Sequence, residues 1–136
     1  MGASDNSAAS QTLMFSFTDS AGWQQLDVVN ILLNSSLNGG QACYLAYSRP
    51  SNTLYLVNNA GNALLPGLVL DHAGTLSNGQ CTIGPAMAAG SGNTLTLTLN
   101  VAASSTFKGS RIFYLAARDG VGGNSGWQPM GTWNVP

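Results

Sequence analysis

His72 is the only histidine in the chain. It follows Asp71 and lies between the only two cysteines, Cys43 and Cys81. A serine hydrolase would have to use it as the base. Yet no G-x-S-x-G elbow occurs, and Asp71-His72-Ala73-Gly74 reads as a turn, where a histidine is ordinarily a solvated side chain. A glycosidase needs two carboxylates with separated roles. Glu is absent, so only aspartates are available, and Asp19, Asp27 and Asp119 are the plausible members. Asp19 and Asp119 sit in turn-forming contexts, where a carboxylate commonly caps backbone amides. Asp27 lies inside an otherwise apolar strand, which points to pairing with an arginine or with backbone amides. No catalytic residue is therefore assigned, and the chain is expected not to be an enzyme and to need no cofactor.

The cysteines can be read in two ways. A metal centre would use them with His72 and Asp71, but neither C-x-x-C nor H-x-x-x-H spacing is present, and no metal ligand is assigned. The favoured reading is one disulfide between Cys43 and Cys81. Two minor chemistries rest on thinner patterns: an isopeptide link from Lys108, the only lysine, to Asp27, and a calcium site at Asp119 and Asn124.

Aromatic residues offer the better binding lead. Trp23, Tyr44, Tyr55 and Trp127 are the candidate ligand-contacting rings, suited to stacking on sugars. Against this, Trp127 and Trp133 share strand parity, so the favoured expectation is that both fill the core. Two similar turns, Ser20 to Gln24 and Ser125 to Gln128, each contain Gly-Trp-Gln and could bring two indoles to one pole.

The composition constrains the partners. In 136 residues only 7% are charged, against about 25% in an ordinary soluble domain, while 44% are hydrophobic and the net charge is −1. Such a surface, solvated by Ser, Thr, Asn, Gln and Gly, suits a secreted or cell-surface β-domain. There is no basic footprint for nucleic acid or anionic lipid. No apolar run approaches the roughly 20 residues of a spanning helix, so no membrane insertion is expected. The opening residues have neither a basic nor an apolar region and do not form an export signal. The expected setting is extracellular, with a signal and neighbouring domains lying outside this segment.

The elements that would position these residues are strands. Thr94 to Val101 alternates Leu95, Leu97, Leu99 and Val101 against Thr94, Thr96, Thr98 and Asn100, a period-2 pattern with one wet face. Further strands are read at 13–17, 42–48, 53–57, 77–83, 111–118 and 127–135. Leu26 to Leu33 is rich in β-branched residues but could pass for a helix on period alone. Residues 63–70, interrupted by Pro66-Gly67, read as an edge or bulged strand, and Gly84 to Asn93 as a loop. Pro50 and Asn52 supply the turn of a hairpin. Strand 111–118 is apolar on both faces, as expected for a central strand or one packed on a neighbour. The pattern predicts an all-β, antiparallel two-sheet sandwich of eight or nine strands over residues 12–136, preceded by a flexible segment, 1–11.

The closing stretch, Phe113 to Asp119, then Asn124 to Trp127 and Gly131 to Val135, resembles the last hairpin of bacterial immunoglobulin-like and fibronectin-III-like modules. Cys43 to Tyr47 and Asn78 to Cys81 resemble segments of a domain found near the ends of large secreted bacterial proteins. The resemblance implies an immunoglobulin-like sandwich, a disulfide and an extracellular setting, and implies no activity. It departs from the antibody pattern, because strand 111–118 has Ala at the place of the second antibody cysteine. A Cys43–Cys81 bridge would instead tie an early strand to the segment before the 84–93 loop. The expected role is a stalk, spacer or self-assembling module whose partners are neighbouring domains or like subunits. The alternative is a carbohydrate-binding module, with a polysaccharide as partner.

Overall fold

The structure is a computed structural model that describes residues 2–3, 10–70, 74–120 and 123–135. The strands are β1 (Gly2–Ala3), β2 (Ser10–Thr18), β3 (Leu26–Asn34), β4 (Cys43–Ser48), β5 (Thr53–Leu56), β6 (Leu68–Val69), β7 (Leu76–Ser77), β8 (Cys81–Ser91), β9 (Thr94–Ala103), β10 (Gly109–Asp119) and β11 (Gln128–Val135). They form two antiparallel sheets, a five-stranded one in the order β1-β2-β9-β8-β7 and a six-stranded one in the order β11-β10-β3-β4-β5-β6. The fold is the expected all-β sandwich. One sheet pairs the first strands with β9 and β8, and the other is centred on β10 and β3.

The core lies between the sheets. In β9 the predicted alternation holds, with Leu95, Leu97, Leu99 and Val101 all buried, and β2 mirrors it through Leu13, Phe15 and Phe17. From the facing sheet come Val29, Ile31, Leu33, Leu45, Leu54, Leu56, Phe113, Leu115 and Trp133. Leu26–Asn34, ambiguous by period, is a strand because it is flanked on both sides, by β10 and by β4. In antibody domains a disulfide links the central strands of the two sheets. Here the central strands β2 and β10 meet instead through Phe15 and Phe113, their ring centroids 5.5 Å apart, and Phe113 stacks on Trp133. The disulfide does join Cys43 to Cys81, at the first residues of β4 and β8, and bridges the sheets away from the centre.

Two expectations need correction. Gly84 to Asn93 is not a loop, since β8 runs on to Ser91 and pairs with β9 down to Ser91↔Thr94. Ala86, Ala88 and Gly90 have low strand propensity, but β9 templates the ladder and tertiary context overrides propensity. Small side chains are needed there, because a Cβ on Gly90 would lie 2.1 Å from the Trp23 ring. The second correction concerns the stretch read as a single strand at 77–83. It is a tight hairpin instead, with β7 and β8 turning about Asn78, whose side chain accepts from the amides of Gln80 and Cys81. The first core strand begins at Ser10, two residues before the expected domain boundary, and β1 pairs with β2 at Met14 and Leu13. Most of the 1–11 segment lies outside the described residues, as do Asp71 and His72.

Candidate functional site

Antiparallel registry sorts the side chains of the six-stranded sheet into an inner and an outer set. Leu32 pairs with Tyr44 on one side and with Tyr114 on the other. These three therefore share the outer face, as does Tyr55, opposite Ala46. Trp127 joins them through a bulge. Phe113 pairs with Gly131 and Tyr114 with Pro129, leaving Met130 unmatched. One extra residue reverses the inward–outward alternation. Trp133 is thus buried at 1% exposure, while Trp127 is only partly buried and packs edge-on against Tyr44 at 5.7 Å. The expectation that both tryptophans fill the core is corrected for Trp127.

Loops complete this outer face. Residues 123–126 fold back on β10, with the Ser125 amide donating to the Ala117 carbonyl and the Asp119 carboxylate accepting from the Gly123 amide. Gly39 abuts the Tyr44 ring, and Gly67 abuts Tyr55 so closely that a Cβ would lie 2.6 Å from it. Leu32 is only 2% exposed although it is not part of the core between the sheets. Burial raises the Tyr44 hydroxyl above the ordinary tyrosine range. The result is a small aromatic layer on the outside of the sheet, with Tyr44, Tyr55, Tyr114 and Trp127 half-buried rather than fully open.

Trp23 belongs elsewhere. Its single 3-10 turn, Trp23–Gln25, hangs on the Gly92 carbonyl, and its ring covers Gly90 of the other sheet. With Tyr47, Arg49 and Asn52 it lines a crevice of about 210 Å3. Tyr47 donates its hydroxyl to Asn52 Oδ1 at 2.6 Å, and burial pushes its pKa up against a smaller opposing effect from Arg49. Asn52 adopts φ +51°, the turn role expected for it. The two Gly-Trp-Gln segments thus pack on opposite sheets.

Asp27 pairs with Arg118 at 3.3 Å, as its strand position suggested. Lys108 precedes the first residue of β10 and Arg118 sits at its far end, roughly 30 Å away at ~3.4 Å per residue. That separation removes the Lys108–Asp27 isopeptide possibility. Asp119 and Asn124 spend carboxylate and amide oxygens on the amides of Gly123 and Gly126. Among the described residues no group of three or more metal-ligating side chains occurs, and no helix is long and apolar enough to cross a membrane.

A second concavity was invisible in the sequence. At the pole where β3 ends and β10 begins, a cleft of about 390 Å3 is lined by Asn34, Ser36, Gln41, Gln80, Thr106 and Arg111, among others. The Arg111 guanidinium lies 4.0 Å over the Phe107 ring and donates to Asn34 Oδ1 and to the Lys108 carbonyl. Gln80 donates its amide to Gln41 Oε1, and Gln41 in turn donates to the Asn59 carbonyl. Gln80 Oε1 and Arg111 Nε are buried without a partner. These residues come from positions up to 77 apart in the chain, and no local motif announces their meeting.

No known protein family, curated protein or solved structure matches the chain.

Proposed function

We propose that this chain is a non-catalytic interaction module of a secreted or cell-surface protein, in the manner of bacterial immunoglobulin-like domains. The supporting observation is the aromatic layer outside the six-stranded sheet. Ordinary solvated sheet faces alternate to polar side chains, whereas this one carries Tyr44, Tyr55, Tyr114 and Trp127 around a buried Leu32. Half-buried Tyr and Trp are the side chains most enriched at recognition surfaces, because each brings large apolar area with a polar tip. The disulfide fits an oxidising, extracellular setting. The partner on this reading is protein, a neighbouring domain or a like subunit.

Sedimentation velocity and light scattering over a wide concentration range, repeated with a flanking domain added, test this. Association that weakens in Trp127→Ala and Tyr44→Ala is the expected result. A clean monomer that ignores both its own copies and its flanking domain would defeat the reading. Carbohydrate binding by the same rings is the second reading, favoured by the edge-on Tyr44–Trp127 pair. A polysaccharide panel read by tryptophan fluorescence distinguishes it.

A further inference from the structure

Arg111 is half-buried, and its described hydrogen-bond acceptors are neutral, the Asn34 amide oxygen and the Lys108 carbonyl. Its cation is further supported by the Phe107 face, but no described carboxylate comes within ion-pair distance of it. Sequestering a guanidinium without an acid is unfavourable unless an anion arrives from outside. The described carboxylates are also all at the other end of the sandwich. Lys108 and Arg111 stand at this pole with no described aspartate beside them, whereas Asp19, Asp27 and Asp119 sit at strand ends of the opposite pole together with Arg49 and Arg118. The field in the cleft therefore favours a negative group.

Gln80 adds a second requirement. Gln41 donates to a backbone carbonyl, which can only accept, so the Gln41 oxygen must face Gln80. Gln80 therefore points its nitrogen at Gln41 and leaves Oε1 as an acceptor in need of a donor. At 7% exposure this acceptor is well removed from bulk water. Ser36 and Thr106 line the same space with hydroxyls, and Asn34 with an amide. The complementary ligand carries both an acid group and hydroxyl donors, and a cleft of about 390 Å3 falls within the ordinary range for small-ligand sites.

We propose that this polar cleft binds a carboxylate-bearing sugar, a uronic acid residue, with its acid on Arg111 and its hydroxyls on Gln80 and the neighbouring hydroxyl side chains. The site is separate from the aromatic layer, and neither proposal depends on the other.

Calorimetric titration of the intact chain with tri-galacturonate or tri-glucuronate, with matched neutral trisaccharides, and with acetate and phosphate alone tests the proposal. The acidic trisaccharides should bind at least tenfold tighter than the neutral ones and than either simple anion, and binding should weaken with added salt. Arg111→Gln should reduce affinity at least tenfold. Because Arg111 also packs on Phe107, Ser36→Trp provides a variant that blocks the exposed side of the cleft while leaving the core intact, and it should abolish binding at an unchanged melting temperature. Equal binding of neutral and acidic sugars would overturn the proposal, as would simple anions competing as well as the uronates, or no binding at millimolar concentration. Uronate binding that survives Ser36→Trp but is lost in Trp127→Ala would place the ligand on the aromatic layer and overturn it too.

Discussion

The two sheets present similar apolar faces to each other and very different faces to the outside. Beyond the five-stranded sheet the strands show Thr94, Thr96, Thr98 and Asn100, with Met14 and Met87 standing open at 53% and 58% exposure. Beyond the six-stranded sheet, Leu32 is at 2%, hemmed in by tyrosines, and Trp127 closes on Tyr44. Both outer faces contain apolar side chains, so apolar content does not distinguish them. What differs is that, among the described residues, 35–41, 66–67 and 123–127 fold over one face and none of these covers the other. A sheet face acquires a packed outer layer when its connections build on it.

This contrast can be broken by substitution. The largest effect expected lies outside both faces: replacing Cys43 and Cys81 together by alanine should cost about 4 kcal/mol on the chain-entropy argument for a separation of 38 residues, measured by denaturant unfolding. Next comes Leu32→Ala, expected to cost about 3 kcal/mol, in the range for a buried core leucine. A loss below ~0.5 kcal/mol, ordinary for surface positions, would show that the aromatic layer is not packed and would erase the contrast. Alkaline pH should have a moderate effect. The buried Tyr44 and Tyr47 hydroxyls have folded pKa values above the unfolded one, so the folded state holds their protons longer. Their contribution is fully present below about pH 10, the unfolded value, and is lost as pH rises through the folded values. Thermal melts of Tyr44→Phe with Tyr47→Phe should flatten that alkaline decline. Smallest of all, Met14→Ser with Met87→Ser should change stability by under ~0.5 kcal/mol each, and a larger loss would reveal packing that the open face does not show.

Much of the sandwich was legible because period-2 alternation reports one wet face and one dry face directly, as in Thr94 to Val101. The strand with two apolar faces, β10, was also readable, since Ile112, Tyr114 and Ala116 had to be covered by something. Legibility ended where a single residue changes parity. Met130 has no special side chain, yet its unmatched position turns Trp127 outward. It ended again at β8, where Gly90 reflects the volume of Trp23 from a distant turn rather than its own propensity. The cleft at the Arg111 pole was illegible for a related reason. Asn34, Gln41, Gln80 and Arg111 are unremarkable singly, and only the sandwich topology brings their loops together.

The position of the disulfide has a consequence for that cleft. Gln41 and Gln80, whose amides meet across 39 residues, immediately precede the two half-cystines, one by two positions and the other by one. The covalent link thus sets the effective concentration of one glutamine around the other, and it does so most strongly for this pair of walls. Once the link is reduced, the walls are held by hydrogen bonds alone, chief among them those of the Asn78 side chain to the Ala42 carbonyl and the Gln80 amide, near strand ends where local opening is easiest. The shape of the cleft is thus tied to the bridge, and an oxidising setting is where its walls are held closest.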